Sequence, residues 1–127
     1  MGGRQVLSHD RGSVTVELFL VIPAAVLILV ASLQVVTLAR ARIELVGAVR
    51  DGARVASTTP DPSKAVDAVQ AALSPTARAV TRVSVSRPST VGSPARVTAI
   101  SKHLLGAPFP DDFGVEISAT ASMLVER

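Results

Sequence analysis

The side chains able to do chemistry in this chain are few and widely spread. Cys is absent, which excludes disulfide staples, Cys-based zinc sites and thiol catalysis. No local spacing joins His9 to His103, and no nucleophile–base constellation is visible. Asp111, Asp112, Phe113 and Gly114 spell the letters of the kinase metal motif. Neither a Gly-rich loop, a catalytic loop nor an adequate length accompanies them. The sequence therefore offers no catalytic residue, no metal-ligand set and no cofactor site. What remains is a short constellation near the start: Gly12, Ser13 and, after three further uncharged residues, Glu17. Each has an ordinary role available. Gly12 suits a loop, Ser13 an N-cap, and Glu17 a first helical turn, where the helix dipole stabilises a carboxylate by about 0.3–1 kcal/mol. Their order and spacing, directly ahead of an apolar run, ask for more than three coincidences.

That run is the element that positions them. Residues 18–39 contain no Asp, Glu, Lys or Arg, and Pro23, Ser32, Gln34 and Thr37 are the few interruptions to an aliphatic stretch. As a helix at 1.5 Å per residue it measures about 33 Å, enough to cross a hydrocarbon core of about 30 Å. A soluble protein would need a large core to bury it, and the rest of a 127-residue chain cannot supply one. Three processing outcomes are open to such a segment. It can stay as an uncleaved signal anchor. It can act as a secretory signal, with Arg4 and Arg11 as the basic region and Ala39-Arg40-Ala41 as a small-x-small cleavage site. Its length and the Arg in that site argue against this. The third outcome depends on the residues just ahead of the run. A carboxylate such as Glu17 is costly if drawn into lipid, where Asp at a helix centre costs about 2.5–3.5 kcal/mol, and a positive partner would offset that.

The junction from Asp10 through Gly12 and Ser13 to Glu17 resembles the class III signal of type IV pilin-like proteins. Glu17-Leu18-Phe19, Pro23 within the run, and the later Arg50-Asp51-Gly52-Ala53-Arg54-Val55-Ala56 extend the likeness. Together these residues resemble the TadE-like pilus assembly proteins, minor pilins or pseudopilins of the tight-adherence (Flp) pilus machinery. The resemblance covers about residues 10–57 and beyond them is one of layout.

It implies that a membrane-embedded prepilin peptidase cuts between Gly12 and Ser13, making Glu17 the fifth residue of the mature chain. Gly at the cut leaves no side chain to obstruct an extended backbone. The new amino group of Ser13, in the same chain or a neighbour, would then be the cation for Glu17, which implies a subunit-docking role. Ser13 stands where classical pilins have Phe, which departs from the pattern that carries N-methylation. Pro23 cannot donate to the Phe19 carbonyl, so a kink or local loosening is expected there. It serves either as a tolerated membrane proline or as a hinge. Orientation is contested: Arg40, Arg42, Arg50 and Arg54 after the run outnumber Arg4 and Arg11 before it. The positive-inside rule would put the C-terminal side in the cytoplasm, whereas the resemblance implies a cytoplasmic N-terminus and an extracytoplasmic remainder. The expected topology is the second, with the N-terminus cytoplasmic.

Beyond the run, Leu45, Ala48, Val49, Gly52, Val55 and Ala56 share one helical face, with Gly47, Arg50, Asp51 and Arg54 opposite. A helix over 13–57 would be about 68 Å long. Pro60-Asp61-Pro62-Ser63 makes a turn, and Asp61 or Ser63 can cap a short helix ending at Leu73 before Ser74-Pro75. The period then changes to two: Val83 and Val85, the less regular Val97-Thr98-Ala99-Ile100, and the clear alternation from Val115 to Val125. The expected fold is α+β: a long transmembrane and amphipathic helix, a short helix, and an antiparallel sheet of about three strands. Its organisation would be a leader at 1–12, a helix at 13–57 spanning the membrane over about 18–39, and a small extracytoplasmic α+β domain at 58–127 packed on that helix. The apolar loop between His103 and Phe113 either covers a sheet edge or presents a contact patch.

Composition narrows the function further. The chain is 48% hydrophobic but 2% aromatic, with a net charge of +3. Scattered Arg and no Trp or Tyr give no stacking platform for single-stranded nucleic acid. No nucleic-acid or small-molecule partner is therefore expected. The expected partners are the membrane, prepilin peptidase, other pilin-like subunits and the tight-adherence secretion machinery. The expected role is non-enzymatic, in pilus assembly. The competing reading is a signal-anchored extracytoplasmic binding domain unrelated to pili.

Overall fold

The structure, a computed structural model, describes residues 10–126. Residues 1–9 of the expected leader, with Arg4 and His9, lie outside the described residues. The chain builds a 49-residue helix, α1 (Asp10–Thr58), two short helices, α2 (Pro62–Ala72) and α3 (Pro75–Val80), and three strands. The strands are β1 (Thr81–Ser86), β2 (Pro94–Leu104) and β3 (Gly114–Leu124). This is the α+β fold expected from the sequence.

α1 is long because nothing breaks it. Between Gly12 and Gly47 there is no Gly, and Pro23 is the sole Pro; the helix continues through that residue. It ends at Thr58, where Thr59 and Pro60 stop the pattern. Its last carbonyls find partners from far along the chain. The Arg87 Nε donates to the Ala56 carbonyl at 2.7 Å, and the Glu126 N–H donates to the Ser57 carbonyl at 3.0 Å. The C-terminal end of the sheet is thereby tied to the end of α1.

α2 begins with Asp61 as N-cap and Pro62 in the first turn, a position where the missing amide costs nothing. The Asp61 carboxylate accepts from the Ser63 N–H at 3.0 Å and the Ser63 hydroxyl at 2.8 Å. Those bonds, with a smaller contribution from Lys64, hold its pKa below the ordinary carboxylate range. The sequence reading ended the helical region at Ser74-Pro75. The structure corrects this, because a second helix, α3, starts there. Ser74 accepts from the Ala77 N–H at 3.4 Å as N-cap, and Pro75 opens the first turn. Ser-Pro signals a helix start as readily as a stop. Arg78 then reaches back to the Gln70 and Leu73 carbonyls at 2.9 and 3.3 Å. The Glu44 carboxylate accepts the Ser74 N–H, which pins the α2–α3 corner to α1.

The strands form an antiparallel meander in the order β1-β2-β3. Period-two patterning places Ala95, Val97, Ala99 and Ser101 of β2 on the inner face, flanked by Val83 and Val85 of β1 and Ile117 and Ala119 of β3. That face packs on α1 at Leu45, Ala48, Val49, Ala53 and Ala56, with Ala65, Val69 and Leu73 of α2 completing the core. At Gly52 both α2 and the sheet close on α1. A Cβ there would run into Val69 Cγ2 and lie 3.2 Å from the Ala65 carbonyl and 3.4 Å from Val97 Cγ1. The outer face carries Arg82, Ser84, Thr98, Lys102, Glu116 and Thr120, with the Thr98 and Thr120 hydroxyls 3.1 Å apart. The β1–β2 turn needs Gly92, at φ +83°, a conformation Gly adopts without penalty.

Candidate processing and assembly segment

Gly12 and Ser13 lie in the first turn of α1, since the helix starts at Asp10 rather than at Ser13. The bond between them is helical backbone, so a protease that reads an extended strand must first unwind that turn. Glu17 is exposed and one turn further on. Four residues of rise place it about 6 Å along the axis from Ser13, and side chains on a helix lean toward its N-terminus. Glu17 is thus aimed at the end where Ser13 would carry a new amine. Pro23 sits within the continuous helix, beside a shallow apolar concavity lined by Phe19, Ile22, Val26 and Leu27.

The apolar run meets the demands of a lipid environment. The most apolar 18-residue window of α1 has a mean hydropathy of 2.6, and 0% of it is buried inside the chain. A core helix of a soluble protein would be mostly buried, so that reading fails. The polar residues within the run are largely satisfied along the helix. The Ser32 hydroxyl donates to the Ile28 carbonyl at 2.8 Å and the Thr37 hydroxyl to the Leu33 carbonyl at 3.0 Å, which removes donors that hydrocarbon cannot serve. Gln34 is half-buried, next to Gly106 of the β2–β3 loop.

Further along α1 the expected buried face is the one that packs, and Gly47, Arg50, Asp51 and Arg54 are exposed opposite it. Ala53 and Ser57 are buried as well, because α2 and the sheet meet the helix from two sides and widen the stripe.

The remaining chemistry-bearing residues are scattered. His103 Nε2 lies 3.2 Å from the Ser101 hydroxyl. Both are on the inner face of β2, and Ser101 is 3% exposed, so its oxygen is closed to a substrate. Asp111 and Asp112 are exposed in the β2–β3 loop, with Phe113 stacked on Phe109 at 5.5 Å. Among the described residues no group of three or more His, Cys, Asp or Glu could hold a metal ion. The loop joins β2 to β3 at the end of their hairpin. Two features were not read from the sequence, the Glu44–Ser74 tie and the approach of Gly106 to Gln34. Both join residues far apart in the chain, and no local pattern encodes them.

Comparisons with curated proteins and with solved structures return no match. A family model described as TadE-like protein matches residues 12–54, from Gly12 to the packed part of α1, and over that stretch the resemblance read from the sequence is shown.

Proposed function

We propose that this chain is a non-enzymatic, pilin-like membrane subunit that serves assembly of a tight-adherence pilus. The TadE-like match supports a role related to the Tad pilus, and the unburied apolar helix supports membrane anchoring. The finer mechanism extends these. Prepilin peptidase removes residues 1–12. The mature chain waits in the membrane, held over about residues 18–39, with its N-terminus on the cytoplasmic side and residues 58–127 outside. Glu17 then pairs with a Ser13 amine, its own or a neighbour's, as helices pack into the assembling complex. Pro23 gives that helix a point where the Phe19 carbonyl is free and the axis can bend. The partners are the peptidase, other pilin-like subunits and the tight-adherence machinery.

The observation that carries this reading is the TadE-like match over residues 12–54, which takes in Gly12, Glu17 and the apolar helix that the fold leaves unburied. The test is deletion of the chain in its host, with surface pili counted by electron microscopy. Loss of pili, restored by the full-length chain, is expected. Full piliation without it would favour a signal-anchored binding domain instead.

A further inference from the structure

The β2–β3 hairpin runs down α1 toward the membrane segment, and two contacts fix its height. Val97 of β2 lies against Gly52, and Gly106 at the hairpin's end lies against Gln34, where a Cβ on the glycine would be 3.7 Å from Gln34 Nε2. From Gly52 back to Gln34 the helix descends about 27 Å. From Val97 to Gly106 a strand covers about 30 Å, so the hairpin follows α1 for the whole distance. Gln34 lies inside the charge-free run of residues 18–39, about 7.5 Å short of its end. If that run spans the bilayer, the loop tip stands at the depth where interfacial elements bury their apolar faces, about 5–10 Å into the headgroup and acyl boundary.

The loop is made for such a place. Residues 103–110 contain no Asp, Glu, Lys or Arg, and two of the chain's three Phe are in the loop. Leu104 is 63% exposed, Phe109 36% and Phe113 50%, although the two rings stack on each other. Part of the loop's backbone is provided for within the loop. The Leu105, Phe109 and Phe113 N–H groups donate to the Phe113, Gly106 and Pro110 carbonyls, and Pro108 and Pro110 have no N–H to satisfy. Charges flank the apolar tip: Lys102 and Glu116, paired across the strands, and the exposed Asp111 and Asp112, with Arg40 and Arg42 on α1.

We propose that the apolar tip of this loop, residues 104–110, inserts into the outer-leaflet interface of the bilayer, as a second membrane contact that sets the height and tilt of the folded part on its anchor. The proposal rests on the reading of residues 18–39 as membrane-spanning. Because the chain has no Cys, single cysteines report cleanly. The full chain is reconstituted in vesicles of phosphatidylethanolamine and phosphatidylglycerol in equal parts, with a polarity-sensitive fluorophore at Ala107→Cys, Leu104→Cys, Val26→Cys or Ser89→Cys. Doxyl-labelled lipid is expected to quench the probes at 104, 107 and 26 several-fold more than the probe at 89, with aqueous iodide showing the reverse order. Lipid quenching at 26 but iodide quenching at 104 and 107 would leave the anchor intact and overturn the proposal. Iodide quenching at 26 would overturn the spanning reading, and the proposal with it. Blue-shifted emission at 107 that grows with protein density, without doxyl quenching, would assign the loop to a second copy and also overturn it.

Discussion

Glu17 is the residue on which the proposed docking step turns. Its place one turn after Ser13 on an exposed helix face gives it nothing to do inside the folded part of the chain, so its substitution should leave folding untouched. In the assembly its carboxylate would sit in a poorly hydrated helix bundle. Removing one partner of such a pair costs about 3–5 kcal/mol. Glu17→Gln keeps the shape and deletes the charge. With Glu17→Gln as the sole copy, surface pili are expected to fall by more than about tenfold, since each 1.4 kcal/mol is worth a factor of ten, while the ratio of cleaved to uncleaved chain stays as in the parent. Normal piliation would remove the docking role. The residues of this segment were legible in the sequence because Gly, Ser and Glu stand at fixed spacing ahead of an uncharged run. The hydrogen bond between Glu44 and Ser74 was not, because its partners meet only once α2 has turned back along α1.

Among the elements, α1 shows how one substitution can have opposite effects at two positions. A Cβ at Gly47 meets nothing within 4 Å, whereas one at Gly52 would collide with Val69 and crowd the Ala65 carbonyl and Val97. Gly47→Ala is expected to stabilise the chain by about 0.5–1 kcal/mol, the ordinary gain in helix propensity. Gly52→Ala should destabilise it by about 1–3 kcal/mol, the cost of overpacking a closed core. Thermal unfolding of the full chain in detergent micelles, read through the strand signal in circular dichroism, distinguishes the two. A neutral result at Gly52 would mean that α2 and the sheet separate easily from α1. The six-residue apolar face of α1 and the alternation of β3 could be read before the structure because each follows one period. α3 was missed since Ser74-Pro75 serves both as a stop and as a start. β2 proved longer than its visible core of Val97 to Ile100, because Ser101 and Lys102 interrupt the apolar pattern while the ladder with β3 continues to Leu104.

At the scale of the whole molecule, one helix belongs to two environments. Its first part is apolar and none of its most apolar stretch is buried inside the chain, and its last part is the floor of the core. The segment after Pro60 has too small a core to stand without that floor, so anchor and folded part are joined by continuous helix rather than by a linker. This is why the position of proteolysis matters so much. Cutting after Gly12 leaves α1 nearly whole and the core intact. Cutting after Ala41 would separate the membrane run from the folded part, and an uncleaved anchor would keep all of both. N-terminal sequencing of the chain from the membrane fraction of cells with and without prepilin peptidase tells these apart. The account predicts a start at Ser13 that disappears when the peptidase is absent; a start at Arg42 that does not depend on the peptidase would contradict it.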